Sequence, residues 1–102
     1  MAGITKNLFN FTHGNKQDFI VNSSLGNILI SNSSTIESIF VTIQLGLPAG
    51  LSYILNNVEV PTGVTLQILE HEPLRVQNAK VGIYYTASSA SDNLMTVTYT
   101  SS

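Results

Sequence analysis

The chain has 102 residues, which is enough for one domain with a single core. Charged residues make up 10% of the sequence and the net charge is −2, whereas an average soluble domain is about 25% charged. The four cations, Lys6, Lys16, Arg75 and Lys80, are scattered, so no basic cluster could neutralise phosphates and we expect no nucleic-acid binding. The absence of cysteine excludes disulfides and thiolate chemistry.

Small neutral polar residues take the place of charge, with 12 Ser, 10 Thr and 10 Asn in the chain. A surface of this kind has little electrostatic repulsion and suits a protein that is docked on another protein. No run approaches the ~18 apolar residues of a membrane span. The first six residues lack the apolar stretch of a signal peptide. We therefore expect neither a membrane partner nor a secretory signal peptide.

Residues 1–16 are predicted to form an N-terminal arm or a first strand, and residues 17–102 a single β-sandwich domain. In the first segment, apolar Leu8, Phe9 and Phe11 lie among Asn, Gly and Lys. This mixture fits a strand that covers one end of the core, and the alternative is an arm that docks on an adjacent subunit. Short strands are predicted next at residues 18–22 and 27–31, followed by a loop at residues 32–35 whose side chains bond their own backbone.

The clearest alternation of apolar and polar residues runs from Ile36 to Leu45, and its period of two indicates a half-buried strand. The segment from residue 53 to 70 predicts two strands joined by a corner. Pro61 ends the first strand because it has no N–H to donate, and Gly63 supplies the positive φ that a tight turn requires. A single helical turn is expected around residues 49–53.

Further short strands are predicted at residues 74–77, 81–86 and 95–100, with a Ser/Ala/Asp/Asn loop at residues 87–93. The total is about eight or nine short strands with turn signals every ten residues or so. This spacing predicts an all-β protein, an antiparallel β-sandwich of the jelly-roll or immunoglobulin-like type, with little or no helix.

The sequence contains few residue patterns that would indicate a catalytic or metal-binding site. His13 and His71 are far apart in sequence, and the run Glu70-His71-Glu72 is predicted to be a solvated loop tip, because adjacent side chains diverge. No Gly-x-Ser-x-Gly elbow and no glycine-rich phosphate loop is present. We therefore expect a protein that is not an enzyme and needs no cofactor or metal.

Aromatic residues suggest protein contacts instead. Adjacent Tyr84 and Tyr85 must point to opposite faces of one strand, and Phe40 lies on the polar side of the best strand. Exposed aromatic side chains on a surface of low charge are typical of protein–protein interfaces. The predicted partner-contact residues are Ile4, Leu8, Phe9, Phe11, Phe40 and Tyr84.

Three segments, ILISNSSTIESIFVTIQL, YILNNVEVPTGVTLQIL and PLRVQNAKVGIYYTASSASDNLMTVTYTSS, follow one another in this chain. Their order resembles that of small tailed-bacteriophage virion accessory proteins over residues 26–102. The corner shared with that group consists of Tyr53, Ile54, Leu55, Val58, Val60, Pro61, Gly63 and Leu66. A departure occurs at residues 78–80, Asn-Ala-Lys, where the group often carries an acidic turn.

The resemblance implies a non-enzymatic virion structural protein, of the capsid decoration or cement type, that is assembled in the host cytoplasm. Its implied partner is the major capsid protein or another virion protein, and a homo-oligomer is expected. The alternatives are a neck, tail or fibre protein of the same particle and a host-surface carbohydrate-binding module. A carbohydrate-binding module would need exposed aromatics beside Asp, Asn or Glu in a groove, and the lack of Trp counts against it.

Overall fold

A computed structural model describes residues 3–47 and 50–102, and these residues form nine strands and no helix. This confirms the predicted all-β class. The strands are β1 (Ile4–Leu8), β2 (Gln17–Val21), β3 (Ser24–Asn32), β4 (Ile39–Leu47), β5 (Gly50–Val60), β6 (Thr65–Ile68), β7 (Leu74–Arg75), β8 (Ala79–Thr86) and β9 (Met95–Ser101).

The strands form two antiparallel sheets that pack face to face. Sheet A has the order β1-β9-β3-β6, with β7 also paired to β3, and sheet B has the order β2-β8-β4-β5. The first strand pairs with the last, the second with the last but one, and β4 with the strand that follows it, β5. The two halves of the chain therefore run antiparallel to each other, and the paired strands alternate between the two sheets. This strand order is that of a jelly roll, one of the two sandwich types predicted.

Alternating residues explain where the core lies. On β4, the side chains of Ile39, Val41, Ile43 and Leu45 are buried between the sheets, because a period of two places them all on one face. On β9, in sheet A, the side chains of Met95, Val97 and Tyr99 are buried against them. The remaining buried apolar residues are Phe11, Val21, Leu25, Ile28, Ile30, Val60, Ala79, Val81, Ile83 and Tyr85.

The predicted Pro61–Gly63 corner is confirmed and passes the chain from sheet B to sheet A. β5 ends at Val60, the Val64 amide donates to the Pro61 carbonyl at 3.2 Å, and β6 follows. Gly63 has φ 71°, in the left-handed region. Because β5 and β6 lie in different sheets, the corner joins the two layers at one side of the sandwich.

The N-terminal segment lies in sheet A as β1, which pairs with β9 from Ile4 opposite Ser101 to Leu8 opposite Val97. After β1 the chain turns inward and buries Phe11 completely. The Phe11 ring packs edge-to-face on Tyr85 at 6.4 Å, and its carbonyl accepts from the Asn93 amide at 2.8 Å. The prediction that Phe11 contacts a partner is therefore wrong, because its ring fills the core.

Residues 36–38 and 50–53 differ in structure from the sequence predictions. Residues 36–38 precede β4, and Ile36 is 82% exposed. The Ser34 hydroxyl accepts from the amides of Ile36 and Glu37, which holds this backbone in a loop. Residues 50–53 form the start of β5 and not a helical turn, because they pair in register with the end of β4.

The outer face of sheet A is coated with neutral polar side chains. Thr5 lies opposite Thr100 with their hydroxyl oxygens 3.3 Å apart, and the Thr98 hydroxyl donates to the Asn7 side chain at 2.8 Å. Further along, the hydroxyls of Ser31 and Thr65 lie 3.0 Å apart. These side chains form a surface of cross-strand hydrogen bonds.

Candidate functional site

The candidate functional site is the outer face of sheet B, where the strand register gathers aromatic side chains. Thr42 on β4 lies opposite Tyr84 on β8, and Phe40 lies one pleat away, on the same face. Tyr53 on β5 lies opposite Gln44 and therefore faces the same way. Phe40, Tyr53 and Tyr84 thus come from three adjacent strands and share one surface. We call this surface the aromatic face.

Exposure differs across the aromatic face. Phe40 and Tyr84 are half-buried, whereas Tyr53 is 49% exposed. Leu51 and Ile20, at the two edges of the same face, are each 59% exposed. Aromatic rings that are partly held by their neighbours lose little freedom on binding, so the face offers apolar area in a fixed arrangement.

Two glycines lower the centre of this face and form a shallow hollow. Gly82 and Gly46 lie in neighbouring rows of β8 and β4. A Cβ at Gly82 would lie 2.6 Å from Oδ1 of Asp18, so no side chain fits at this position without a shift. The hollow has a volume of about 90 Å³, which is too small for a drug-sized ligand. It can accept a single protruding side chain or part of a sugar ring.

Three charged side chains surround the hollow. Lys80 Nζ lies 3.6 Å from the Asp18 carboxylate, and Lys16 Nζ donates to Oε1 of Gln44 at 3.2 Å. The Lys80–Asp18 pair is exposed, and surface ion pairs of this kind contribute little to stability. Because Gln44 is neutral, the charge of Lys16 is not offset by this bond and a positive charge remains at the rim of the hollow.

The other predicted contact residues lie elsewhere. Ile4 is 66% exposed, Phe9 is 60% exposed, and Leu8 is half-buried against the core. Ile4 and Leu8 belong to β1 at the edge of sheet A, and Phe9 follows them. The structure therefore brings Phe40 and Tyr84 together and places Ile4, Leu8 and Phe9 apart from them.

Sequence reasoning missed Tyr53, Leu51 and Ile20 as members of the aromatic face. For Leu51 and Tyr53 a signal existed, because they alternate with Ser52 over Gly50–Tyr53. The alternation stops after Tyr53, where the register against β4 shifts, so the pattern is too short to distinguish from a turn. For Ile20 no signal existed, since three apolar residues follow one another in β2.

The side chains considered as metal ligands or catalytic groups, those of residues 70–72 and of His13, do not lie together. Residues 70–72 are exposed, and among the described residues no group of three or more His, Cys, Asp or Glu side chains is placed to share a metal ion. His13 has a structural contact: its Nε2 accepts from the Ala87 amide at 2.9 Å, and its ring packs edge-to-face on Tyr85 at 5.7 Å.

A larger hollow, of about 490 Å³, lies beside sheet A between Gly26, Pro73 and Glu70. Among the described residues that line it, Glu70 is the one ionisable side chain, and its carboxylate lies 3.6 Å from Nε2 of His71. Polar Ser24, Asn27, Gln67 and Thr100 line the same hollow, and none of its described lining residues is aromatic. Size alone would favour this hollow, but we favour the aromatic face because aromatic side chains are enriched in protein interfaces.

Among the described residues, three ionisable groups have a shifted pKa. The pKa of Glu37 is lowered from 4.5, mainly by hydrogen bonds from the side chain and the amide of Ser89. Burial raises the pKa of Tyr85 and that of Tyr99. The Tyr85 hydroxyl donates to the Ser91 carbonyl at 2.6 Å and accepts from the Leu94 amide at 3.2 Å. The hydrogen bonds of Tyr85 and Glu37 hold the loop at residues 87–94, and Tyr99 lies in the core. The three shifted groups therefore have structural roles.

Comparison of the chain with models of known protein families, with curated proteins and with solved structures found no match. Within the described part of the chain, no helix has the length and hydropathy needed to cross a bilayer.

Proposed function

We propose that this protein is a non-enzymatic structural protein of a bacteriophage particle, of the head decoration or cement type. The proposal rests on the resemblance of residues 26–102 to small virion accessory proteins. Jelly rolls recur in viral capsid proteins and also in unrelated proteins, so the fold supports the proposal only by analogy. The protein would bind the major capsid protein during assembly in the host cytoplasm and remain in the virion.

The aromatic face is the observation that carries the binding function. Phe40, Tyr53 and Tyr84 lie on the outer face of sheet B, and β4 has no charged residue. The charged side chains of this face lie around the rings, with Glu59 opposite Phe40 and Lys16, Asp18 and Lys80 at the hollow. The centres of protein interfaces are enriched in aromatic residues and depleted of charge. The hollow at Gly46 and Gly82 would receive one side chain of the partner. Ile4, Leu8 and Phe9 would make a second, smaller contact beside β1.

The mechanical effect would come from many copies. Each copy would bridge neighbouring capsid subunits, and burial of about 1,600 Å² in total is enough for a stable contact. No chemical step is required. Stabilisation of the shell would follow from linkage, because a ligand that binds only the assembled state shifts the equilibrium towards assembly.

The test is occupancy of purified particles by variants of the aromatic face. Phe40→Ser and Tyr84→Ser should each weaken attachment about tenfold or more, as expected for interface anchors. Leu29→Ser is the matched control, because Leu29 is an equally half-buried apolar residue on the outer face of sheet A. Circular dichroism should show that all three variants fold. Equal occupancy by all three would contradict the proposal.

Copy number distinguishes positions within the particle. A number on the scale of the capsid subunits supports head decoration, whereas a few copies per particle support a neck, tail or fibre protein. Quantitative gel densitometry of purified virions gives this number directly.

A carbohydrate-binding module is the second candidate, and the hollow gives it support. Tyr53 lies beside Gln44 at the rim of a depression that also contains Asp18, and sugars bind to aromatic rings flanked by polar groups. Lectins are among the known jelly rolls. Binding to a panel of immobilised glycans that is lost in Tyr53→Ser, together with no attachment to particles, would favour this candidate.

A further inference from the structure

β5 has an unpaired edge that is long compared with every other edge of the sandwich. It spans Gly50–Val60 at the end of sheet B and, among the described residues, pairs with β4 alone. Every second residue of an edge strand directs its N–H and C=O away from the sheet. These groups can form a ladder with another strand.

The other edges carry features that oppose such pairing. β1 has exposed Lys6 at its centre, β2 has Asp18, and β7 is two residues long and contains Arg75. β6 is uncharged but has only four residues. Charged side chains and short length are the usual protections of a sheet edge. In β5, by contrast, no charged residue occurs between Gly50 and Val58.

The first part of the β5 edge pairs with β4 without a register shift and is uncharged, whereas the second part is shifted. From Gly50 to Tyr53 the register against β4 is unbroken, whereas shifts follow on both sides of Ile43. Asn57, with φ 55°, lies in the shifted part, where bulges turn the strand away from a flat sheet. Leu51 and Tyr53, on the regular part, are 59% and 49% exposed.

We propose that two copies of this chain pair antiparallel through Leu51–Tyr53 of β5 and form a closed dimer with one continuous eight-stranded sheet. A second copy is the partner that this edge fits, because a strand without charge can face itself with no like-charge repulsion. Both copies use the same strand, so the contact is two-fold symmetric and stops at two chains. The inference is independent of the proposed virion function.

The symmetry has a geometric consequence for the aromatic face. The two-fold axis of an antiparallel strand pair is perpendicular to the sheet, so the same face of both copies points to the same side. The dimer would present two aromatic faces side by side. If the proposed docking function holds, simultaneous binding of both faces would raise the strength of attachment without any new contact.

Sedimentation equilibrium of the purified chain tests the proposal without any virus particle. The wild type should have twice the chain mass of 11.0 kDa. Leu51→Lys places like charges near the axis and should raise the dimer dissociation constant by about tenfold or more. Ile20→Lys is the matched control, because Ile20 has the same 59% exposure on the same face, but at the β2 edge. It should remain dimeric.

A charge-complementation experiment tests the two-fold pairing itself. Leu51→Lys and Leu51→Glu should each be monomeric alone, and an equimolar mixture should recover the dimer. Circular dichroism and a cooperative unfolding curve should show that each variant is folded.

The proposal is overturned by any of four results. These are a monomeric wild type at concentrations up to about 1 mM, a Leu51→Lys variant that dimerises like the wild type, dissociation caused by Ile20→Lys, and failure of the mixture to recover the dimer. Because no particle is involved, these results say nothing against the docking function, which has its own occupancy test.

Discussion

Asn32 is a buried polar side chain whose hydrogen bonds hold the loop before β4. Its Nδ2 donates to the carbonyls of Glu37 and Val60 at 2.9 Å each, and its Oδ1 accepts from the Ser34 amide at 2.8 Å. The sequence predicted that residues 32–35 bond their own backbone, and the Ser34 contact confirms this. The bond to Val60, 28 residues away, could not be predicted from a local pattern.

Asn32→Leu should destabilise the protein by about 2–3 kcal/mol, because it leaves buried carbonyl groups without a donor. The control is Asn7→Leu, which removes the exposed bond to Thr98 and should change stability by less than about 0.5 kcal/mol. Urea unfolding followed by circular dichroism measures both. Equal effects of the two substitutions would contradict the importance of the buried bonds.

Glu37 makes stability depend on pH on the acid side. Its pKa in the folded state is below its ordinary value of 4.5, because Ser89 donates to the carboxylate. In this range the unfolded chain binds more protons than the folded chain, so stability rises with pH. The stabilisation is present above pH 4.5 and is lost as the pH falls through the lower folded value.

Glu37→Gln should therefore flatten the dependence of the urea midpoint on pH below 4.5. Ser89→Ala removes the largest cause of the shift and should flatten it in part, because the Ser89 amide still donates. If the urea midpoint of Glu37→Gln depends on pH as strongly as that of the wild type, other carboxylates cause the pH dependence.

Phe9 and Phe11 illustrate the limit of sequence reasoning for single residues. They are two positions apart, and a continued strand would place both on one face. β1 ends at Leu8, however, and the chain turns so that Phe9 is 60% exposed while Phe11 is buried. The partner of Phe11, Tyr85, lies 74 residues later in the chain, and only the complete fold identifies it.

At the scale of elements, the corner at residues 61–63 was predictable because its residues have special backbone preferences. Pro61 has no N–H and Gly63 adopts a positive φ of 71°. The strand interiors of β4, β8 and β9 were predictable for a related reason, since one of their faces is buried and their alternation is long. The bulges of β5 were not predictable, because they depend on the pairing with β4.

Gly63→Ala should destabilise the protein by about 1 kcal/mol. Apart from Gly63 itself and its two chain neighbours, no atom lies within 4 Å of a Cβ built at this position, so the cost is that of the backbone conformation. Thr62→Ala, in the same turn, is the control and should be close to neutral. Thermal unfolding measures the difference, and an unchanged midpoint for Gly63→Ala would show that the corner can adopt another turn type.

At the scale of the whole molecule, no local sequence pattern predicts the jelly-roll order of the strands. Strand number and alternation predict a sandwich, but jelly-roll and immunoglobulin-like orders share these features. What distinguishes them here is the pairing of β1 with β9 and of β2 with β8. These long-range contacts arise from the whole core, in which each sheet takes strands from both halves of the chain. The aromatic face was only partly predictable for the same reason.

This topology predicts slow folding. Ile4 pairs with Ser101, so closing the last sheet contact requires almost the full length of chain to be ordered. Domains dominated by such distant pairings refold in roughly milliseconds to seconds. Stopped-flow dilution from urea should show this time range, and refolding faster than about a millisecond would contradict the dominance of distant contacts.

The hydroxyl-coated outer face of sheet A has a consequence for the environment that the protein tolerates. Hydroxyl and amide groups hold water without attracting counterions, and they do not titrate near neutrality. Within residues 3–47 and 50–102 the one lysine–carboxylate ion pair, Lys80–Asp18, lies at the surface, so dissolved salt has little to screen. Moderate changes of ionic strength should therefore change the solubility of the protein little, and the same holds for the electrostatic part of any contact made through aromatic rings.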